Sequence, residues 1–506
     1  MSEVKAGVVI GYVSILLRLV TQFLLTPYII ASLGKNEYGL YVLSSSLVAW
    51  FTLCDFGLSP TISKYIIECV NKKQLIRSRL IIGQGILLFA FIAVVLTIIG
   101  ILGYSHLSCL FYTFTSDELS IFKILYLLML ANVILSFPFK PIAVLPSAYL
   151  RFIAPNLFNL LLSLCVAILK FLFLFYGFKS ITLTLIVLST SVVQIIWSIY
   201  YAKKYLKVKI PITRPSAKIF KMLISFSGWI FLSQLTDLIY WQAGSPILAS
   251  LEGPEVVAIF GVSITIAQYF NLASITVSNI LVPKVMKLTV TNGDRQLLTN
   301  TMIRYGRMQL LVLCIFIIVF IFMGMDFLKL WVGRSLGADI MYIWTGVLLM
   351  ILPQIVSQTQ NTGIAILQAL NLHYGRSIIL LFTAVLGIGL SYLLTNMYGL
   401  IGMYIGISLS YIVGQCIAMN IFYFLRVKLN VFKFFKNVYL PSIVPSLMMV
   451  IVGMLIKSVW QPDTWFSFFM IMFIYLLICA AIMYIFYLNQ HERLHFAIPL
   501  KNRPPQ

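Results

Sequence analysis

The chain has 506 residues, of which 61% are hydrophobic and only 10% charged, and its mean hydropathy is +1.00. A soluble protein of this length does not keep such a surface in water, so composition excludes a soluble globular domain. The formal charge of +22 suggests a nucleic-acid partner only until the charges are mapped onto the apolar segments.

A helix needs about 20 apolar residues to cross a hydrocarbon core of about 30 Å. Segments of that length recur at 6–32, 38–66, 80–103, 119–138, 152–176, 181–202, 221–249, 256–283, 306–325, 340–369, 376–395, 398–425, 437–458 and 465–488. The first is too long for a signal-peptide core and lacks a small-residue cleavage site, so it reads as a retained helix. Barrel strands would be about half as long and would alternate in polarity. The expected fold class is therefore all-α, a polytopic membrane protein with about 14 transmembrane helices.

With the N-terminus inside, 28 of the 36 Lys and Arg fall in loops and tails on the cytoplasmic side. Lys72, Lys73, Arg77 and Arg79 form one such cluster, and Lys203, Lys204, Lys207, Lys209 and Arg214 another. The outer loops hold six bases (Lys35, Lys123, Lys179, Lys329, Arg334, Lys457) against eight of the 14 acids. This is the positive-inside pattern, and it places both termini in the cytoplasm. The basic face meets the anionic headgroups of membrane lipids, and no nucleic acid is needed.

The chain also repeats itself. Ala31-Ser32-Leu33 leads through Glu37 to Tyr38-Gly39-Leu40-Tyr41, and Ala249-Ser250-Leu251 leads through Glu255 to Val257-Ala258-Ile259-Phe260. Each block joins the first two segments of a set of six. The expected organisation is an N-terminal lobe over 1–208, a second over 209–428, and an extra helix pair with a cytoplasmic tail over 429–506. Six is even, so the lobes are parallel repeats related by an axis along the membrane normal.

Function is read from the polar residues that lie within apolar segments. Arg18 falls near mid-depth of the first segment, and Ser14, Arg18 and Gln22 share one helical face. A cation there is costly, so it should face protein or water rather than lipid. Its role is either an ion pair with an intramembrane acid or a contact for an anionic substrate. Asp237 is also near mid-depth, with Gln234 beside it. It is open to three readings: a partner for Arg18, an ion-coupling site, or a ligand for sugar hydroxyls. Asp55, in Leu53-Cys54-Asp55-Phe56-Gly57-Leu58, reads as a cap or hinge with Gly57, or as part of the transport machinery.

Gln354, Gln358, Asn361 and Gln368 recur at helical spacing in the tenth segment, as do Gln268, Asn271, Ser274 and Ser278 in the eighth. Unpaired amides in hydrocarbon cost several kcal/mol each. They are either glue between helices or the lining of a hydrated cavity suited to sugars. Asn156, Asn159, Ser163 and Lys170 mark the fifth segment, and Lys170 either faces that cavity or reaches outward. The four His (His106, His373, His491, His495) are dispersed and the seven Cys have no metal or redox spacing. No nucleotide-binding loop and no catalytic cluster appear. The expectation is a protein that is not an enzyme and has no metal or cofactor, driven by an ion or substrate gradient.

Thr26-Pro27, Leu33-Gly34, Glu37-Tyr38-Gly39-Leu40-Tyr41 and Asp55-Phe56-Gly57-Leu58 resemble the N-terminal signature of bacterial polysaccharide flippases. These belong to the multidrug/oligosaccharidyl-lipid/polysaccharide exporter superfamily. Asp237, Gly253 and Val257-Ala258-Ile259-Phe260 resemble that family's next conserved segment, although Leu238 stands where members often carry a base. The resemblance implies two six-helix lobes in the bacterial cytoplasmic (inner) membrane, with the first, second, seventh and eighth helices lining a cavity. It implies a polyprenyl-diphosphate-linked oligosaccharide as substrate, for O-antigen, capsule or exopolysaccharide synthesis, and Arg18 is compatible with a diphosphate contact. A coupling proton or sodium ion and the polysaccharide polymerase machinery would be its partners. A drug exporter or a peptidoglycan-precursor flippase of the same superfamily, or a membrane glycosyltransferase or polymerase, are the competing readings.

Overall fold

The computed structural model describes residues 3–208, 216–292, 294–370, 372–490 and 492–493. Within that range the side chains of 3–9, 12, 218, 224–226, 229–230, 276–292 and 373 are outside the description. Lys209 and Arg214 of the expected basic linker, His491, and His495 with the rest of the tail also lie outside the described residues.

The regular elements among the described residues are all helical. The first, α1 (Glu3–Thr52), has 50 residues and turns back at Gly34, where φ is +78°. Only glycine takes that conformation without a Cβ penalty, so Leu33-Gly34 ends the first crossing and starts the second. A second break follows at 53–57, where Phe56 and Gly57 are both left-handed, before α2 (Leu58–Asn71). Then come α3 (Leu75–Leu110), α4 (Ser116–Ser136), α5 (Ile153–Phe175) and α6 (Ser180–Lys204). Thr115 and Glu118 start α4 with a reciprocal capping box. Next are α7 (Ala217–Gln242), α8 (Gly244–Leu251), α9 (Pro254–Asn292), α10 (Arg295–Leu336), α11 (Ile340–Thr359) and α12 (Asn361–Ala369). The chain continues with α13 (His373–Tyr411), α14 (Val431–Val438), α15 (Ile443–Val459) and α16 (Trp465–Ile482).

Ten stretches of the described chain are long and apolar enough to cross a membrane. Three of them, Val13–Asn71, Arg295–Thr359 and Tyr374–Val427, have 59, 65 and 54 residues. At 1.5 Å per residue each is at least twice as long as one crossing needs. Each also contains a break, at Gly34, at Gly337–Asp339 and at Gly399. Counting those three twice and adding α7 gives the expected fourteen. The protein is an all-α, polytopic membrane protein.

The chain divides into two compact units, Met1–Gly261 with Thr395–Leu400, and Val262–Leu394 with Ile401–Gln506. That division is one of compactness, and it falls elsewhere than the 208/209 boundary drawn from the repeats.

In the first unit α1 packs along α4 and α5. The Ser14 hydroxyl donates to the Asn156 carbonyl at 3.3 Å, and the rings of Tyr28 and Phe171 are 4.8 Å apart, so α1 and α5 run in the same direction. Ile62, Ile66, Phe89, Phe137 and Leu145 anchor a core under α2, α3 and α4. The two repeated blocks meet inside this unit. Lys35 pairs with Glu255 at 3.4 Å. Gly39 lies so close to Pro254 that a Cβ would collide with the Pro254 backbone carbonyl. Backbone is not a yielding neighbour, so Gly39→Ala is expected to force the blocks apart, at a cost of about 1–3 kcal/mol. Thermal unfolding of the purified variant checks this, and an unchanged midpoint would show that the approach is not needed. Glu37 has a structural task nearby: its carboxylate accepts from the Ser180 backbone N–H at 3.0 Å and from the Ser180 hydroxyl, capping α6.

The second unit has its own core, including Leu310, Ile366, Phe434, Phe468 and Tyr475. Its most demanding feature is Arg307, which is 4% exposed. Arg307 Nε donates to Glu492 Oε1 at 2.8 Å and Nη1 to the Asn437 carbonyl at 2.9 Å. Nη2 donates to Glu492 Oε2 at 3.0 Å and to the Tyr487 carbonyl. These bonds tie α10 to α14 and to the chain that follows α16.

Candidate functional site: an acid-free cationic cavity

A cavity of about 420 Å³ opens within the first unit, between α1, α5 and α6. Helical spacing builds it. Arg18 and Gln22 are one turn apart on α1, Asn159, Ser163 and Lys170 share a face of α5, and Thr190 and Gln194 are one turn apart on α6. Thr26, Ile29, Tyr38 and Tyr41 line it toward the Gly34 turn. Pro27 removes a backbone donor from α1 here, and the Thr26 hydroxyl bonds to the Gln22 carbonyl at 2.7 Å.

The cavity has two cations and no acidic side chain in its lining. Among the described residues neither Arg18 nor Lys170 has an ion-pair or hydrogen-bond partner. Lys170 is half-buried and faces the cavity, which is one of its two expected positions. Asp237 and Gln234 are exposed on α7. Asp237 is not paired with Arg18 in this state, since Arg18 has no partner among the described residues. Chemically, the cavity suits an anion: two full positive charges, with amide and hydroxyl groups able to bond to oxygen.

Asp55 lies elsewhere. It is buried at the break before α2, where its carboxylate accepts from the Ser59 N–H at 2.9 Å and the Ser59 hydroxyl at 2.7 Å. Lys140 pairs with it at 3.1 Å and stacks 4.0 Å from the Phe137 ring centroid. Asp55 is thus engaged in holding the turn that contains Gly57.

The amides form a separate, uncharged cluster in the second unit. Gln358 Nε2 donates to Asn271 Oδ1 at 2.6 Å, and Asn361 Nδ2 donates to Gln358 Oε1 at 2.8 Å and to the Ser274 hydroxyl at 3.4 Å. Gln354, one turn earlier, is buried with its carbonyl oxygen unbonded among the described residues. Gln268 is exposed one turn from Asn271. Part of the stripe is therefore glue between α9, α11 and α12, while Gln268 and the Gln354 oxygen retain bonding capacity.

Thr190, Gln194 and Lys140 were not singled out from the sequence. Thr190 and Gln194 carry a legible signal, two polar positions four apart in an apolar segment. Lys140 does not, because it reads as one more basic residue at a segment end.

The helix count, the kinked crossings and the absence of strands among the described residues define a polytopic helical membrane protein. A family model described as "Polysaccharide biosynthesis protein" matches residues 4–287. The chain belongs to that family. Among curated proteins none matches it. Solved structures agree on the fold. A lipid II flippase MurJ in an inward closed conformation superposes with a TM-score of 0.72 at 15% identity, covering 94% of this chain and 99% of that one. An inward-facing multidrug resistance MATE family transporter gives 0.63 at 15% identity, over 86% of this chain and 99% of that one. A Pyrococcus furiosus transporter described as having a binding pocket of reversed polarity gives 0.55 at 15% identity, over 82% and 95%. The resemblance read from the sequence is borne out in the polysaccharide biosynthesis family and in the fold.

Proposed function

We propose that the protein is a flippase. It carries a polyprenyl-diphosphate-linked oligosaccharide from the cytoplasmic to the outer face of a bacterial inner membrane, for O-antigen, capsule or exopolysaccharide synthesis. The observation that carries this reading is the acid-free cavity with two unpaired cations, Arg18 and Lys170. A diphosphate is the anionic part of such a substrate, and its sugars and lipid tail bear no charge of the same density. Arg18 meets the diphosphate through charge-assisted hydrogen bonds. Gln268 and the Gln354 oxygen suit sugar hydroxyls, as do Gln22 and Gln234, while Asn271, Gln358 and Asn361 hold together the helices of the second unit. The tail stays in lipid.

Movement is by alternating access of two parallel lobes, 1–208 and 209–428, with both termini in the cytoplasm. Asp55 and Gly57 serve as a hinge. Asp237, exposed on α7, is the residue for a coupling proton or sodium ion. No covalent step is required, and the product is handed to the polysaccharide polymerase machinery. A cation exporter would want acids where this cavity has none.

The test uses the purified full chain in vesicles loaded with a fluorescent polyprenyl-diphosphate oligosaccharide. Protein-dependent exposure of the label to an outside quencher is the expected result. Movement of a peptidoglycan precursor or a cationic drug instead, with no movement of the oligosaccharide lipid, would overturn the reading.

A further inference from the structure

A second cavity, of about 460 Å³, lies in the second unit at the turn between α10 and α11. Met325, Lys329 and Arg334 line it from the last turns of α10, and Gly337, Ile340 and Met341 from the break and the first turn of α11. Neither Asp326 nor Asp339 is in its lining. Arg334 is exposed and has no ion-pair or hydrogen-bond partner among the described residues. Lys329 has a loose pair with Asp326 at 3.8 Å. α10 carries no charge from Met308 to Met325, and at 1.5 Å per residue that run is about 27 Å long, close to the thickness of a hydrocarbon core. Met325 therefore lies at the edge of the core, and the two cations at headgroup level. The loops expected outside hold only six bases, and two of them meet here. A base in the last turn of α10 complements the helix dipole, which accounts for Arg334 alone. It does not account for a cavity with an apolar floor that both cations share.

We propose that this cavity is a binding site for an anionic phospholipid, with Lys329 and Arg334 on the phosphate and Met325, Ile340 and Met341 against the glycerol and upper acyl chain. The chemistry of each half selects that class. Two cations with no acid in the lining match one anion through charge-assisted hydrogen bonds. The apolar floor matches hydrocarbon. A free phosphate uses only the first half, and a neutral phospholipid only the second. The halves meet at the depth where a phospholipid joins its phosphate to its chains. The site is independent of what the protein carries, since it lies within the second unit, and Arg18 and Lys170 lie in the first. It is built on two consecutive helices, so a bound lipid braces the turn between them and stabilises the unit by mass action.

The experiment is a lipid titration of the purified full-length protein in detergent, read by native mass spectrometry. One phosphatidylglycerol is expected to bind at least about tenfold tighter than phosphatidylcholine. Lys329→Gln/Arg334→Gln should bring the two lipids within about twofold of each other. Both side chains are exposed, so this variant should fold. Lys72→Gln/Lys73→Gln removes the same charge from a cluster elsewhere and should keep the preference. Gly337→Leu fills the space and leaves both cations in place; φ there is −55°, and nothing lies within 4 Å of an added Cβ. It should weaken phosphatidylglycerol about tenfold. Millimolar inorganic phosphate should leave the bound lipid in place. A preference that survives in Lys329→Gln/Arg334→Gln overturns the site. A preference lost equally in Lys72→Gln/Lys73→Gln also overturns it, by reducing the effect to net charge. Full binding by Gly337→Leu would put the lipid on open surface and not in the cavity. Displacement by phosphate would make this a site for a free anion and overturn the lipid assignment.

Discussion

Replacing Arg18 with alanine is expected to stop glycan export while leaving the protein in the membrane at normal or higher levels. The two effects have different causes. A guanidinium within a membrane helix costs about 2.5–3.5 kcal/mol on insertion scales, so its removal does not impair insertion. The same group is unpaired among the described residues and faces the cavity, so its removal costs nothing in internal contacts. What is lost is a hydrogen bond to a charged group, worth about 1.5–3 kcal/mol, or roughly one to two orders of magnitude in affinity. Arg18→Lys should restore part of the activity, because a point charge keeps the attraction and loses the bidentate geometry. Surface glycan and protein level measured together in the three strains decide the matter. Full export by Arg18→Ala would refute the assignment.

The largest loss of stability is expected at Glu492. Glu492→Gln leaves the Arg307 guanidinium, only 4% exposed, without its counter-charge. Breaking a buried pair from one side typically costs about 3–5 kcal/mol. Arg307→Met has the opposite defect, a buried carboxylate without a cation, and it also removes the donors to the Asn437 and Tyr487 carbonyls. The double variant Arg307→Met/Glu492→Leu should recover much of the loss, though not the two carbonyl bonds. The midpoint of thermal unfolding in detergent reports this. If the double variant lost as much as the two single variants added together, the residues would not act as a pair.

Much of the fold was legible because the bilayer imposes one length scale. Segments of about 20 apolar residues, and a turn at Leu33-Gly34, required only the rise of a helix and the freedom of glycine. The facing of Arg18 and Gln22 followed from a spacing of four. Pairings across the chain were another matter. The stripes holding Asn271 and Gln358 were visible, yet nothing local says that these two side chains bond to each other, because they are 87 residues apart. Arg307 looked like one more base on the cytoplasmic side. Its burial depends on α14, Tyr487 and Glu492, which no periodicity in its own helix reveals. Lys140 was hidden in the same way, since a basic residue at a segment end is ordinarily a solvated one and here it faces Asp55.

The Arg307–Glu492 pair also sets a timetable. Its members are 185 residues apart. At about 5–20 residues per second, the ribosome spends roughly 10–40 s on the stretch between them. Throughout that interval the guanidinium, 12 residues past the start of α10, has no carboxylate to pair with. The second unit is thus assembled in an order. The pair can close only after residue 492 has been made. A nascent chain arrested before residue 492 should therefore leave Arg307 accessible to water, so completion of this unit is a late event in biogenesis.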